Sequence, residues 1–309
     1  MSASPDASLP AVFDAVVIGG SFAGMSAALQ LARACRTVAV LDTRRPRNRA
    51  AEVAHGCLGW DGAAPGELLE TGRTQLLAYT RVHWFEDEAI AAAGSEGEGF
   101  AITCASGDVL RGRRLILAHG VTDHLPHVPG LAERWGSTVL HCPYCHGYEI
   151  CGGELGFLVR DGEDALAHAT ALSQWGRVTV LHRGDGADAA WDGLEEALAG
   201  VGATLERSAL VAVSGGGGAT AELADGRALD LQALFLHPEA TLSAPIAGQL
   251  GCGVENAGCI TTDSSKQTTV PGVFACGDAA RFAGNIALAI GEGALAGVAT
   301  HRSLLGLLD

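Results

Sequence analysis

The chain has 309 residues, room for roughly two domains, and its 48% hydrophobic residues with 43 glycines supply ample core and many tight turns. A formal charge of −15, from 20 basic and 35 acidic residues, repels phosphate backbones and anionic bilayers at long range, which excludes nucleic acid and membrane surfaces as expected partners. Residues 1–10 carry no basic residue and no apolar run, so no secretory signal is expected and the cytoplasm is the expected compartment.

Phe13 to Ile18 is an apolar run that predicts a strand, and Gly19-Gly20-Ser21-Phe22-Ala23-Gly24 then leads into helical spacing through Met25, Ala28, Leu29 and Ala32. Strand, glycine turn and helix in that order aim backbone N–H groups and the positive end of a helix dipole at a pyrophosphate. Gly24 lets the helix approach the strand closely. Ser21 stands where a second glycine is usual, a small hydroxyl being a tolerable substitute. The next strand, Thr37 to Leu41, ends in Asp42, where an acid can bind a ribose hydroxyl. A meander turning near Ser106-Gly107-Asp108 closes this first unit in Leu115-Ile116-Leu117-Ala118-His119-Gly120.

His141-Cys142-Pro143-Tyr144-Cys145-His146-Gly147-Tyr148-Glu149 follows, with two cysteines two residues apart between histidines. Such a pair closes a small ring on oxidation, and its thiolate is stabilised by a helix N-terminus or a nearby imidazolium. The competing reading is half of a zinc site. His141 and His146 adjoin the cysteines directly and lack the usual ligand spacing, so no metal is expected. The other seven cysteines (Cys35, Cys57, Cys104, Cys151, Cys252, Cys259, Cys276) have no repeated spacing and read mostly as small buried side chains. In a reducing compartment the close pair is catalytic rather than structural.

From Glu154 the pattern repeats: a strand to Val159, a helix from Asp164 to Trp175, a strand Val178 to Leu181, another helix, and strands about an Asp225-Gly226 turn that end in Leu234-Phe235-Leu236-His237-Pro238. This reads as a duplicated nucleotide-binding unit. Its turn, Arg160-Asp161-Gly162-Glu163-Asp164-Ala165, has lost its first glycine and sets three acids where a pyrophosphate would sit. His182-Arg183-Gly184 keeps part of a basic cluster. A nicotinamide site is therefore expected to be lost while the fold survives. The final apolar segment, residues 286–308, is interrupted by Glu292, His301, Arg302 and four glycines, and so predicts a buried helix rather than a membrane span.

With these residues in hand, the chain resembles the low-molecular-weight thioredoxin reductases over nearly its whole length. Within that group it is most similar to the FAD-dependent dithiol oxidases that close the disulfide of gliotoxin-, holomycin- and romidepsin-type natural products. The marks are Gly19-Gly20-Ser21, Arg47-Asn48, His55-Gly56, Gly59-Trp60-Asp61-Gly62, Pro65 and the Cys142 to Glu149 stretch. Thr269 to Asp278 (TVPGVFACGD) resembles the second FAD motif of such flavoproteins.

The resemblance implies an α/β fold of two Rossmann-like dinucleotide-binding domains, the second inserted in the first. Residues 1–121 and 242–309 would form a discontinuous FAD domain, and residues 122–241 a degenerate NADPH-type domain carrying the cysteines. It implies FAD held by Gly19, Gly20, Ser21, Phe22, Ala23, Gly24, Asp42, Asn48, His55, Gly277, Asp278 and Ile286. Ordinary thioredoxin reductases carry an aspartate after the second cysteine; His146 takes that place and is the candidate base, with Cys142 attacked by substrate and Cys145 facing the flavin. Dioxygen would be the acceptor, giving hydrogen peroxide, and a C2 homodimer is expected. Two alternatives stay open: an NADPH- or ferredoxin-dependent disulfide reductase, and a flavin-bound thiol sensor. The identity of the dithiol and the roles of His141, His119 and His124 are left undecided.

Overall fold

The computed structural model describes residues 9–159, 165–184, 191, 193–255, 258–281 and 284–308. Residues 160–164 of the turn whose acids predict the loss of a nicotinamide site lie outside the described residues.

The first unit opens with β1 (Phe13–Ile18), α1 (Phe22–Arg33), β2 (Val38–Leu41), α2 (Pro65–Leu77) and β3 (Val82–Phe85). The antiparallel β4 (Ala89–Ser95) and β5 (Gly99–Cys104) lead into β6 (Val109–Leu117). The sheet runs β3-β2-β1-β6-β5-β4, and β1 pairs in parallel with β2 and β6 through Val16↔Ala39 and Val16↔Leu115. β1 is nearly continuously buried, as a parallel strand covered on both faces must be.

β7 (Val121–His124) leaves this unit for β8 (Val139–Leu140), α3 (Pro143–His146), β9 (Gly153–Val159), α4 (Ala165–Leu172), β10 (Gly176–His182), α5 (Leu194–Gly200) and β11 (Ala203–Leu205). The three-stranded sheet β12 (Leu210–Ser214), β13 (Ala219–Leu223) and β14 (Ala228–Leu231) precedes β15 (Ala233–Leu236). A second parallel sheet runs β11-β10-β9-β15-β8. The chain returns through β16 (Glu239–Leu242), which pairs antiparallel with β7, so two strands of one ribbon carry it out and back. α6 (Ile246–Leu250), β17 (Val273–Ala275) and α7 (Ile286–Leu304) finish the chain, β17 pairing in parallel with β6.

The last helix departs from the buried span that its composition predicts. Its buried face consists mainly of small residues, including Gly293, Ala296, Gly297, Ala299 and Thr300, packed on α1. A Cβ on Gly293 or Gly297 would fall 2.1 or 2.5 Å from the carbonyl oxygen of Ala23 or Ala27. Close backbone approach, rather than bulk, fills that interface, and Leu288, Ile290, Leu295 and Val298 are left exposed. Among the described residues no helix is long and apolar enough to cross a membrane.

Candidate active site

One cleft is lined by residues of both α/β units. Its floor is the turn after β1. Gly19 has φ +109°, and a Cβ there would sit 2.2 Å from the carbonyl oxygen of Ala118. Only glycine fits. The first helical bond of α1 runs from Met25 N–H to Ser21 O (2.8 Å), and Ser21 caps the helix without a side-chain hydrogen bond. The first-turn N–H groups thus lack intrahelical carbonyls and remain available to an anion.

Gly19, Gly20, Ser21, Phe22 and Ala23 line the cleft, as do Asp42, Asn48, His55, Gly277, Asp278 and Ile286, and the trio Cys142, Cys145 and His146. Gly24 does not reach the wall. Its place is inside the turn, where a Cβ would lie 1.8 Å from the carbonyl oxygen of Gly19. Asp42 directly follows β2 and accepts from Arg44 N–H (3.1 Å). Gly277 has φ +67° after β17, and its N–H donates to buried Glu292 (3.1 Å), which pairs with Lys266 (2.7 Å) and Arg281 (2.6 Å). Burial alone would raise the Glu292 carboxyl; the two cations outweigh it and hold it below the usual range. Asn285 Oδ1 caps α7 by accepting from Leu288 N–H (2.8 Å), which places Ile286 at the cleft.

The sequence reading gave Arg47 no role in the site. Its Nε and Nη2 donate to the two oxygens of Asp123 (2.8 and 2.7 Å), and its Nη1 donates to Asp278 (2.8 Å). Burial works against the guanidinium charge, but both carboxylates outweigh it and push its pKa upward. Arg47 therefore ties the short helical turn at Arg47–Ala50 to β7 and to the turn after β17. Its partners lie 76 and 231 residues away, so no local spacing announces them.

Cys142 caps α3, with Pro143 at the first helical position, where its missing N–H costs nothing. Cys145 Sγ lies 2.7 Å from Cys142 Sγ and donates to it. That hydrogen bond, against the opposing effect of burial and with help from the N–H groups of Cys145 and Tyr144, brings the Cys142 thiol down to about 7. The same bond, burial and the Cys142 charge drive Cys145 upward. This arrangement favours the thiolate at Cys142 and the proton on Cys145.

His146 is half-buried with Nδ1 3.4 Å from Cys142 O. Burial lowers its pKa against the pull of that carbonyl and of Glu149, so the imidazole is neutral at neutral pH. His55 reaches across the cleft mouth, Nδ1 3.5 Å from Asp61 and Nε2 3.4 Å from Glu149. His119 sits between Ala118 and Gly120 in the cleft wall, its Nδ1 3.0 Å from Gly120 O. His124 is engaged in the β7–β16 ribbon, Nε2 2.8 Å from Thr241 Oγ1.

His141 belongs to a cluster at the carboxyl ends of the second sheet. The rings of His168, on α4, and His237, just after β15, are 4.1 Å apart; His141, just after β8, lies 5.0 Å from His237, and Phe157 of β9 completes the stack. Nearby, His182 Nε2 donates to Arg207 O (3.1 Å) and its Nδ1 accepts from Gly184 N–H (3.0 Å), so both ring nitrogens are engaged internally. Among the described residues no group of three or more His, Cys, Asp or Glu side chains is arranged to hold a metal.

The family model for pyridine nucleotide-disulphide oxidoreductases matches residues 13–296. Thioredoxin reductase sirT of Leptosphaeria maculans is 33% identical over 97% of each chain. The solved structure of an oxidoreductase from Agrobacterium tumefaciens, 45% identical, is similar with a TM-score of 0.88 over 95% of this chain and 99% of its own. HlmI, 33% identical, gives 0.86 over 95% and 93%. With the two parallel sheets, these matches bear out the expected α/β class of two Rossmann-like units and the resemblance to thioredoxin reductases.

Proposed function

The chain belongs to the pyridine nucleotide-disulphide oxidoreductase family and is an oxidoreductase acting on sulfur, and from that premise we propose that it oxidises a small-molecule dithiol to an intramolecular disulfide through Cys142 and Cys145, with FAD as cofactor and dioxygen as final acceptor. One observation carries this reading: the cysteine pair, with its thiolate favoured at Cys142, opens onto the same cleft as the glycine turn of the first unit. In this proposal residues 1–121 and 242–309 hold the flavin, and residues 122–241 present the cysteines.

The cleft fits the cofactor. The uncapped first turn of α1 suits a pyrophosphate, with Gly19, Gly20, Ser21, Phe22 and Ala23 around it and Gly24 permitting the close turn. Asp42 would take ribose hydroxyls, Asp278 the ribityl chain, and Asn48, His55, Gly277 and Ile286 the remaining wall. When bound, FAD supplies a two-electron acceptor for the cysteine dithiol and returns those electrons to dioxygen as hydrogen peroxide.

The chain's own residues divide the sulfur chemistry. Neutral His146 takes the proton of a substrate thiol, and the thiolate attacks Cys142 of the oxidised pair, forming a mixed disulfide as Cys145 leaves and takes up a proton. His146 passes that proton to Cys145 and takes the proton of the second substrate thiol, which attacks the substrate sulfur of the mixed disulfide, closing the product ring as Cys142 departs as a thiolate. A pKa of about 7 makes Cys142 a good leaving group in that step. The substrate loses two electrons and two protons, and the pair gains the electrons.

Oxidase is favoured over reductase by the second sheet, where the imidazoles of His168 and His237 stand at the strand ends that would receive a nicotinamide nucleotide, and by the full engagement of His182. The reductase reading draws on the name of the relative from Leptosphaeria maculans. An anaerobic cuvette separates them. Bleaching of the yellow protein by dithiothreitol and not by NADPH, with colour and peroxide returning in air, is the expected result; rapid bleaching by NADPH would make the enzyme a reductase. The reading also includes a cytoplasmic homodimer, which light scattering checks.

A further inference from the structure

The cysteines stand on a short support. α3 is a single turn, too short to hold itself, and the residues from Gly147 to Gly152 after it are turns. Within its own unit this segment rests on Trp175, through the Tyr144 ring at 5.3 Å and the bare backbone of Gly147. Toward the first unit it offers Glu149, whose Oε1 lies 3.4 Å from His55 Nε2. His55 sits in a loop closed at its neck by Ala54 N–H to Ala63 O (2.9 Å) and Gly62 N–H to Ala54 O (3.0 Å). Across that loop Asp61 accepts from Gly56 N–H (2.7 Å), which with His55 holds its carboxyl below the usual range, and its other oxygen faces His55 Nδ1 at 3.5 Å. The imidazole thus lies between a carboxylate fixed on the first unit and one on the cysteine segment. His146 feels the charge of both His55 and Glu149, and His55, Cys142, Cys145 and His146 line the same cleft.

We propose that His55 is a positioning residue for the sulfur relay, holding the Cys142 to Glu149 segment of the second unit against the first through Glu149. The inference rests on the FAD reading above, in which the electrons of the cysteine pair must cross from one unit to a flavin on the other. The chain itself joins the units only through β7 and β16, so a contact beside the cysteines sets how the pair meets the flavin. Carboxylates only accept, so both contacts are donated at once only by the doubly protonated ring. The titratable groups around that ring are Asp61 on its own loop and Glu149 and His146 on the second unit. The hold is therefore full at low pH and is lost as pH rises through the imidazole range.

The test is a double-mutant cycle on the flavin-loaded protein, read as the rate at which dithiothreitol bleaches the flavin without air. Rates are taken per bound flavin, because His55 also lines the proposed flavin wall. His55→Leu and Glu149→Gln are each expected to slow bleaching about three- to fivefold, the scale of a partly exposed ion pair, and the double variant to be no slower than either alone. Alkylation of Cys142 by iodoacetamide needs no flavin contact and should keep its wild-type rate in Glu149→Gln, which separates a displaced pair from a less reactive sulfur. The wild-type advantage over His55→Leu should be fullest below about pH 6 and fade towards about pH 8. His55→Lys, a cation throughout that range, should recover to within about twofold and remove the fade. Wild-type bleaching in Glu149→Gln, slower alkylation in that variant, or single effects that multiply in the double variant would overturn the proposal. Wild-type protein that takes up no FAD would instead sink the flavin reading itself, and this inference with it.

Discussion

The two sheets present the carboxyl ends of their parallel strands in opposite ways. After β1 the chain places Gly19 and Gly20, and the space beyond is an open cleft; in the second sheet His141 follows β8 and His237 follows β15, packed with His168 of α4 and Phe157 of β9. The segments after β6 and β15 each begin with a histidine close by, His119 and His237. In the first unit the ring is tucked into the wall against Gly120 O, and in the second it stacks on another imidazole. Folds of this kind bind ligands at the carboxyl ends of their strands, so what stands there decides whether a unit is a site or a scaffold. In the proposed reading the first unit is the site, and the second is the platform that carries the cysteines to it.

The sharpest way to break that division is through the cysteines. Cys142→Ser is expected to lower dithiol oxidation by roughly three orders of magnitude or more, because no sulfur remains for substrate to attack. Cys145→Ser is expected to accumulate a mixed disulfide between Cys142 and substrate, visible as an added mass under non-reducing conditions. Wild-type turnover in both variants would remove the relay from the cleft altogether.

Arg47→Met tests how far the first unit's cleft depends on an ion pair that sequence spacing does not reveal. It leaves Asp123 and Asp278 without their shared cation. A loss of about 2–3 kcal/mol in denaturant unfolding is expected, together with weaker FAD retention. An unchanged unfolding midpoint would show that the bridge holds nothing together.

The pH dependence of thiol labelling probes the cysteine platform more gently. The Cys142 thiolate forms as pH rises through about 7, while Cys145 keeps its proton. Iodoacetamide should therefore modify Cys142 first in the reduced protein, at a rate that climbs about tenfold from about pH 6 to about pH 8 and then flattens. Preferential labelling of Cys145 in peptide maps would reverse the assignment of thiolate and proton.

The smallest effect is expected where the second sheet is called a scaffold. His237→Gly removes the ring at the end of β15 and should change dithiol turnover by no more than a factor of about two to three. A large loss would place the histidine cluster inside the chemistry and erase the contrast between the units.

The first unit was legible because its signals are local. Strand, glycine turn, helix and terminal acid are contiguous, and each follows from a rule about backbone geometry, so Gly19 through Ala23 and Asp42 were found where the cleft is. The same holds for Cys142, Cys145 and His146, four residues apart at most and set at one helix start. Gly24 was read correctly as a packing residue, although it does not reach the wall.

Arg47 was missed as a site residue because an ion pair spanning 231 residues is set by topology, not spacing. The buried span predicted for α7 failed for a related reason: composition counts apolar residues, but glycines at the α1 contact let backbones touch and turned the larger side chains outward. Which cysteine bears the charge was likewise beyond the sequence, since it depends on one sulfur donating to the other. By itself the sequence determined the elements, the glycine turn after β1 and the close cysteine pair, all products of short-range stereochemistry. Only the tertiary structure brought turn, cysteines and imidazoles around one cleft and set His55 against Glu149, because burial and long-range pairing exist only once the two units are packed together.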